Sequence, residues 1–449
     1  MPSRPTRDAL RQAGVDARAQ LPLEAQAVWK PAAERTDPVA LLEEQATTRI
    51  PELVPVRYGR MAVSAFTFYR GAALPMAADL ASAPHSGIIV QMCGDAHLSN
   101  FGLFASPERD LLFDINDFDE TLHGPFEWDL KRLATSLVVA GRSRGFDQRA
   151  NRRAVHRALE EYRDRMARYA GMRSIDVYYD SVAVSTILDF VDKRARPMIE
   201  SAVKSASRHD ALHELPKLTA VTEGHRRIVD RPPVIVHWPD VTTAVIDAFI
   251  DDYRQSLEED RRVLLDRYEI VDVALKVVGV GSVGLGALVA LFDGGSDDDP
   301  LFLQVKQAEA SVYERFLPPS GQPTHGARVV AGQRRLQATT DVLLGHAAGG
   351  PLGREWYIRQ LQDQKASAVV EAMTEEDLAT WGELCGWALA RGHARTGEPA
   401  TISGYLGDDA TFEHALAEFA EAYADQTDRD FESFSAAITD GRIKAEPGV

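Results

Sequence analysis

The chain has 449 residues, 45% of them hydrophobic and 26% charged, with a net charge of −17. That length supports more than one hydrophobic core, and the acidic surplus argues against nucleic acid or an anionic membrane as a partner. Cys93 and Cys385 are too few for a disulfide framework or a structural zinc site, and the N-terminus lacks a signal-peptide core. No apolar run reaches the roughly 18 residues of a membrane helix, so a cytoplasmic protein is expected.

In chain order, residues 1–36 are polar and alanine-rich, and read as an N-terminal arm with one helix. "DPVALLEEQATTRI" follows with Asp37 as a helix N-cap, and "SAFTFYRGAALPMAADLA" reads as mixed strand and helix. The β-rich run "HSGIIVQMC" ends at the polar turn "GDAHLSN". "FGLF" and "LLFDI" are two short strands joined by "ASPERD", and "PFEWDLKRLATSLVVAGRSRG" has the apolar spacing of a buried helix. Residues 148–265 read as helical and charged, interrupted by a loop at "DRPPVIVHWPD". Then come "VALKVVGV", "ALVALFD" and "PLFLQVKQA", β-branched strands separated by a glycine-rich stretch and the acidic turn "GGSDDDP". "GARVVAGQRRLQATTDVLLG" returns to helix, "REWYIRQL" to strand, and "LATWGELCGWALARGHAR" and "ATFEHALAEFAEAYADQ" are helical again.

Two segments carry chemistry. "GDAHLSNFGLFASPERDLLFDINDFDE" crowds carboxylates that repel one another unless a cation or a hydrogen-bond network sits among them. A calcium loop does not fit, because Phe118 occupies a ligand position and no glycine follows. His97 and His123 are too few for a hydrolytic zinc site, and Cys93 has no neighbouring base. The second segment holds Gly279, Gly281 and Gly284 in G-x-G-x-x-G spacing, with Ser282 between them. A dinucleotide-binding turn needs a following crossover helix and an acid about 20 residues on. Here a short apolar run meets the acidic turn, and the next strand carries Lys306 instead. A hairpin bearing a nucleotide-covering glycine loop, followed by a phosphate-pairing lysine, suits the residues better. A plain hairpin with an exposed lysine and an NAD-binding oxidoreductase remain as alternatives.

"GDAHLSN" sets Asp95 and Asn100 five residues apart, and "NDFDE" supplies a second acid beyond the hairpin. The series "GDAHLSN…FDINDFDE…PFEWDL" resembles the catalytic motifs of aminoglycoside-phosphotransferase-like kinases. The resemblance implies Asp95 as catalytic base or hydroxyl-orienting acid, with His97 orienting its loop. It implies Asn100 and Asp117 as magnesium ligands, with Asp114 as the rival for the second role. Gly94 would serve the backbone conformation, and Asp129 would anchor the loop from the next helix. Gly279, Gly281, Ser282, Gly284 and Lys306 would receive the phosphates of ATP. The implied fold is α+β and two-lobed. A mainly helical large lobe spans 37–265 and 366–449, and a small antiparallel-sheet lobe spans 266–365.

The glycine loop follows the catalytic turn by about 180 residues instead of preceding it, so the resemblance implies a circular permutation. Glu309 and Glu314 are candidates to pair with Lys306, and neither is assigned. Residues 37–435 also resemble a bacterial family catalogued as domain of unknown function 2252, through "RYGRM…FYRGAA", "GDAHLSNFG", "QVKQA", "RVVAGQRRLQ" and "YADQTDRDF". The expected activity is Mg-ATP-dependent transfer of a phosphoryl or nucleotidyl group to a small-molecule or protein hydroxyl. A non-catalytic nucleotide-binding regulator is the alternative. Arg57, Arg60 and Arg70 either face an anionic group or pack beside aromatics at the surface.

Overall fold

The computed structural model describes residues 4–207, 211–222, 225–237, 243–277, 279–296, 299–350, 353–361 and 364–446. Parts of the "DRPPVIVHWPD" loop and of the acidic turn lie outside the described residues. The architecture is α+β, long helices with small antiparallel sheets.

The largest core forms where helices Phe126–Ser143, Gln148–Gly171, Glu375–Thr396 and Thr411–Thr439 meet. Helix Phe126–Ser143 is buried along nearly its whole length, which is why its apolar residues are not confined to one stripe. Helix Gln148–Gly171 starts at Asp147, whose side chain accepts from Ala150 N. Helix Glu375–Thr396 starts with a capping box between Thr374 and Asp377.

Short strands sit against these helices. β1 (Ile89–Met92) pairs antiparallel with β4 (Leu122–Pro125), and β2 (Phe101–Ala105) pairs with β3 (Leu111–Ile115). The two ladders hold the β1–β2 and β3–β4 connections side by side, and those connections are the "GDAHLSN" and "NDFDE" turns. β5 (Thr219–Thr222) and β6 (His225–Ile228) form a separate hairpin.

The larger sheet is built from β7 (Ile235–Val236), β8 (Glu269–Lys276), β9 (Ala287–Asp293), β10 (Pro300–Ala308), β11 (Gly345–Ala347) and β12 (Glu355–Gln360). Its order is β11-β12-β10-β9-β8-β7, with every pairing antiparallel. The last short strand, β13 (Ala366–Ser367), returns to pair with β2. One face of the sheet has its own core, in which Leu275, Leu288, Phe292 and Ile358 pack with Phe249, Tyr253 and Leu265.

Four sequence expectations change. The boundary expected after residue 265 divides one core, because helices Thr243–Gln255 and Glu259–Leu265 pack on the sheet. The N-terminal arm is docked: Arg18 donates to Tyr405 O at 2.9 Å and Thr401 Oγ1 to Leu10 O at 3.0 Å. "SAFTFYRGAALPMAADLA" contains no strand but two helices, Ala65–Gly71 and Ala73–Ala81, the first closed by a Ser64–Thr67 capping box. The helix expected across "GARVVAGQRRLQATTDVLLG" ends at Leu336, because Gln337 is extended and Ala338 N bonds to Asp114.

Candidate functional site

The "GDAHLSN" turn is fastened from behind. Asp129, buried in the first turn of helix Phe126–Ser143, accepts from Cys93 N at 2.8 Å and from Gly94 N at 2.9 Å. His393 of helix Glu375–Thr396 approaches the same carboxylate at 3.2 Å, and Tyr313 Oη donates to Gly94 O at 2.6 Å. Gly94 has φ +86°, and a Cβ there would stand 2.2 Å from Glu120 O, so the two turns touch through a position only glycine can fill. Asn100 Nδ2 closes the turn on Asp95 O at 2.8 Å.

Asp95 is held by Arg132, whose Nε and terminal nitrogen lie 2.8 and 2.7 Å from Oδ1. Arg132 also donates to Tyr69 O and lies over the Tyr69 ring, 3.9 Å from its centre. Oδ2 of Asp95 faces His97 Nε2 at 3.6 Å. Burial raises the Asp95 pKa while Arg132 pulls against it. Burial, then the charges of Arg70 and Arg132, hold the His97 imidazole neutral.

The second turn meets the sheet. Lys306 Nζ of β10 lies 2.8 Å from Asp119 Oδ2 and 3.7 Å from Asp117 Oδ2, and Tyr357 Oη donates to Asp119 Oδ1 at 2.6 Å. Burial opposes the Lys306 charge, but Asp117 and Asp119 outweigh it and raise the pKa. Burial and then repulsion from Asp119 raise Asp117. Asp119 ends lower than usual because Lys306 overcomes its burial. Glu120 accepts from Val312 N at 2.7 Å, and burial pushes its pKa up to about 7.

The acids beside Lys306 are therefore Asp117 and Asp119, not Glu309 or Glu314. Glu309 accepts from Gln307 Nε2, and Glu314 lies 3.5 Å from Arg328 Nε. Helix His325–Leu336, which follows the lysine strand, presents Arg328 to the turn. It donates to Asp119 O, Thr121 O and Glu309 O, fastening the "NDFDE" turn to the sheet.

Asp114 does not belong to this site. It is fully buried, with its two oxygens 2.9 and 2.7 Å from a terminal nitrogen of Arg391, and it also accepts from Ala338 N. A carboxylate so occupied has no face for a metal, so the rival assignment is withdrawn.

The glycine stretch joins β8 to β9, which run antiparallel, and no helix follows it. The parallel strand–helix–strand unit required for NAD is absent there, and that alternative falls. The plain-hairpin alternative needed an exposed lysine, whereas Lys306 is 5% exposed. The loop lies over helix Ala65–Gly71, where a Cβ on Gly281 would stand 3.1 Å from Arg70 O. Arg60 donates to Gly279 O, Ile50 N to Gly284 O and Arg49 to Val283 O, pinning it down.

Beneath the loop is a cavity of ≈ 160 Å³. Asp95, His97, Asn100, Asp117, Gly279, Gly281 and Ser282 all line it. Gly284 sits beside Arg49 outside the lining, Lys306 lies behind Asp117 and Asp119, and Gly94 and Asp129 support the turn from below. Sequence reasoning missed Asp119, Glu120 and Arg49 on this wall, and Arg132 behind Asp95. Asp119 was legible as the second acid of "NDFDE"; Arg49 had no local signal.

Among the described residues no group of three or more His, Cys, Asp or Glu could hold a metal ion. Asn100 and Asp117, however, both open on the cavity. Magnesium takes one or two protein ligands and completes its shell with water and phosphate, so this oxygen donor pair fits it.

The chain belongs to the family described as "Uncharacterized protein conserved in bacteria (DUF2252)", whose model matches residues 49–437. No curated protein and no solved structure matches the chain. Among the described residues no helix is long and apolar enough to cross a membrane.

Proposed function

We propose that this chain is a Mg-ATP-dependent phosphotransferase on a circularly permuted, two-lobed, kinase-like fold, acting on a hydroxyl acceptor. The observation that carries the reading is the single cavity on which Asp95, Asn100, Asp117 and the glycine loop converge, from segments about 180 residues apart. Asp95 keeps one oxygen in the Arg132 pair and offers the other to an acceptor hydroxyl. Arg132 and, at longer range, Arg70 favour its ionised form, and neutral His97 adds no charge of its own beside Oδ2. Asn100 and Asp117 would hold magnesium, which supplies neutralisation of the phosphate charge. The glycine loop brings backbone to the phosphates, and Lys306 positions the two aspartates that face them.

The cavity is smaller than the ≈ 300–1,000 Å³ usual for ligand pockets. A whole nucleotide therefore enters only when the loop lifts from its Arg60, Ile50 and Arg49 contacts. One observation favours a second reading, a nucleotide-binding regulator. Helix His325–Leu336 presents Arg328 where kinases place the glutamate that pairs with the lysine.

Thermal unfolding with Mg-ATP, with ATP plus chelator and with neither tests both readings, since ligand at 100 times its Kd stabilises by about 2.7 kcal/mol. Stabilisation that requires magnesium supports them, and its absence rejects both. Label transfer from γ- or α-labelled ATP to acceptor mixtures, lost in Asp95→Ala, then separates enzyme from regulator and phosphoryl from nucleotidyl transfer.

A further inference from the structure

Three arginines share the wall of the cavity beneath the glycine loop with Asp95, Asp117, Asp119 and Glu120. Arg49 follows helix Pro38–Ala46, Arg57 lies in helix Val54–Met61 and Arg70 in helix Ala65–Gly71. Arg57 is fully buried; one terminal nitrogen donates to Gln45 Oε1 at 2.7 Å and Gly71 O at 2.9 Å, while Nε and the other terminal nitrogen have no partner. Arg49 is 5% exposed, and its Nε is likewise buried without a partner. The Nε of Arg70 is also buried and without a hydrogen-bond partner; the Phe66 ring lies 6.0 Å from its guanidinium, and Asp95 attracts it at longer range. Among the described residues none of the three has a carboxylate within 4 Å.

The carboxylates that share the cavity attract these cations only at longer range, Asp95 acting on Arg70 and Glu120 on Arg49 and Arg57. Asp95 is taken by Arg132, Asp119 by Lys306 and Tyr357, and Glu120 by the Val312 amide. Burying one unpaired guanidinium is costly, and Arg49 and Arg57 are close enough to disfavour each other's charge. An anion arriving from outside would offset that cost and give the unpartnered nitrogens an acceptor. The planar forks of three arginines match the several oxygens of one tetrahedral oxyanion better than a single carboxylate.

We propose that Arg49, Arg57 and Arg70 form a phosphoryl-oxyanion site built into the cavity wall by residues 49–70. The site rests on the phosphotransferase reading only for the identity of the phosphate it holds. That phosphate is either the polyphosphate tail of the nucleotide or a phosphate already carried by the acceptor.

Inorganic phosphate is the probe, titrated calorimetrically into the full chain and into Arg70→Gln, Arg57→Gln and Arg57→Lys. Phosphate binds the wild type, and affinity falls about tenfold or more in both glutamine variants, with partial recovery in Arg57→Lys. Among the described residues the Arg70 side chain makes no hydrogen bond, so Arg70→Gln carries the test if the Arg57 variants do not fold. Phosphate that still binds under saturating Mg-bound non-hydrolysable ATP analogue assigns the site to the acceptor, whereas competition assigns it to the nucleotide. Arg-dependent phosphate binding with no nucleotide binding keeps the site and rejects the phosphotransferase reading. Phosphate absent from the wild type, or binding Arg70→Gln and wild type equally, overturns the inference, even if Mg-ATP binds.

Discussion

Asp114→Asn and Asp117→Asn alter carboxylates three residues apart and should have opposite consequences. Asp114 and Arg391 are both fully buried, 2.7 Å apart at their nearest, and the carboxylate also takes the Ile115 and Ala338 amides. Neutralising it leaves Arg391 as an uncompensated charge in the core, a loss of about 3–5 kcal/mol. Asp117 is part-exposed, stands 3.7 Å from Lys306 and is repelled by Asp119. Its neutralisation removes a weak attraction together with a repulsion, so stability should change by less than about 1 kcal/mol. Urea unfolding measures both, with the slope checked for constancy. The same samples, scanned with nucleotide and with or without magnesium, report the metal. Asp117→Asn should lose the magnesium-dependent stabilisation, and Asp114→Asn, where still folded, should keep it. An Asp114→Asn protein of normal stability that no longer responds to magnesium would refute this assignment, as would an Asp117→Asn protein that loses as much stability as Asp114→Asn.

Gly94→Ala places a Cβ 2.2 Å from Glu120 O on a residue of φ +86°, and should cost more than about 2 kcal/mol in urea unfolding. A cost within experimental error would show that the two turns do not touch as described. Glu120 has a folded pKa of about 7 against 4.5 ordinarily, so the fold binds its proton more tightly than the unfolded chain does. That contribution is complete below pH 4.5 and is lost as pH rises through 7. Glu120→Gln should therefore gain on the wild type between pH 5 and pH 8, by up to about 3 kcal/mol before solvent screening. Melts at the two pH values, without nucleotide or magnesium, should show the gap widening; a constant gap contradicts it. Lys306→Met takes from Asp117 and Asp119 their nearest cation and leaves only the longer-range attraction of Arg359 among the causes that act on both, which raises both carboxylates. Its deficit should be larger at pH 8 than at pH 5, and a deficit independent of pH would place the aspartates elsewhere.

What the sequence made legible is what neighbouring residues decide among themselves. The interval between Asp95 and Asn100 describes one turn, and "FGLFASPERDLLF" describes the hairpin that sets the distance to the next. Asp37 before Pro38 is a local capping signal, and helix Pro38–Ala46 begins there. The Ser64–Thr67 pair was an equally local signal, overlooked because apolar and aromatic residues around it suggested a strand. What stayed ambiguous depends on distant partners. The count from Asn100 favours Asp114 and the "NDFDE" pattern favours Asp117, and the conflict is decided by Arg391, nearly 300 residues beyond Asn100. Lys306 had no assignable acid for the same reason: its partners come from a turn almost 200 residues earlier.

The arginines of residues 49–70 show this dependence most sharply. In sequence Arg57 and Arg70 stand beside Tyr58 and Tyr69, as surface arginines commonly do, Arg49 stands between Thr48 and Ile50, and no spacing rule marks any of them as buried. The cavity they line is closed by the glycine loop, which reaches it from beyond residue 278 and is held by Arg49, Ile50 and Arg60. The segment that holds the loop closed is thus also the segment that charges the cavity. Lifting the loop to admit a nucleotide would expose Arg49 to water and release the Val283 carbonyl it now holds. Phosphate arriving at the arginines would restore the lost hydrogen bonds, so ligand binding and loop closure should be coupled through Arg49. Arg49→Met separates the two effects: it should weaken phosphate binding and raise hydrogen exchange at residues 279–285 in the ligand-free chain. Unchanged exchange there, with phosphate binding still lost, would uncouple the loop from the arginines and leave them as a static anion site.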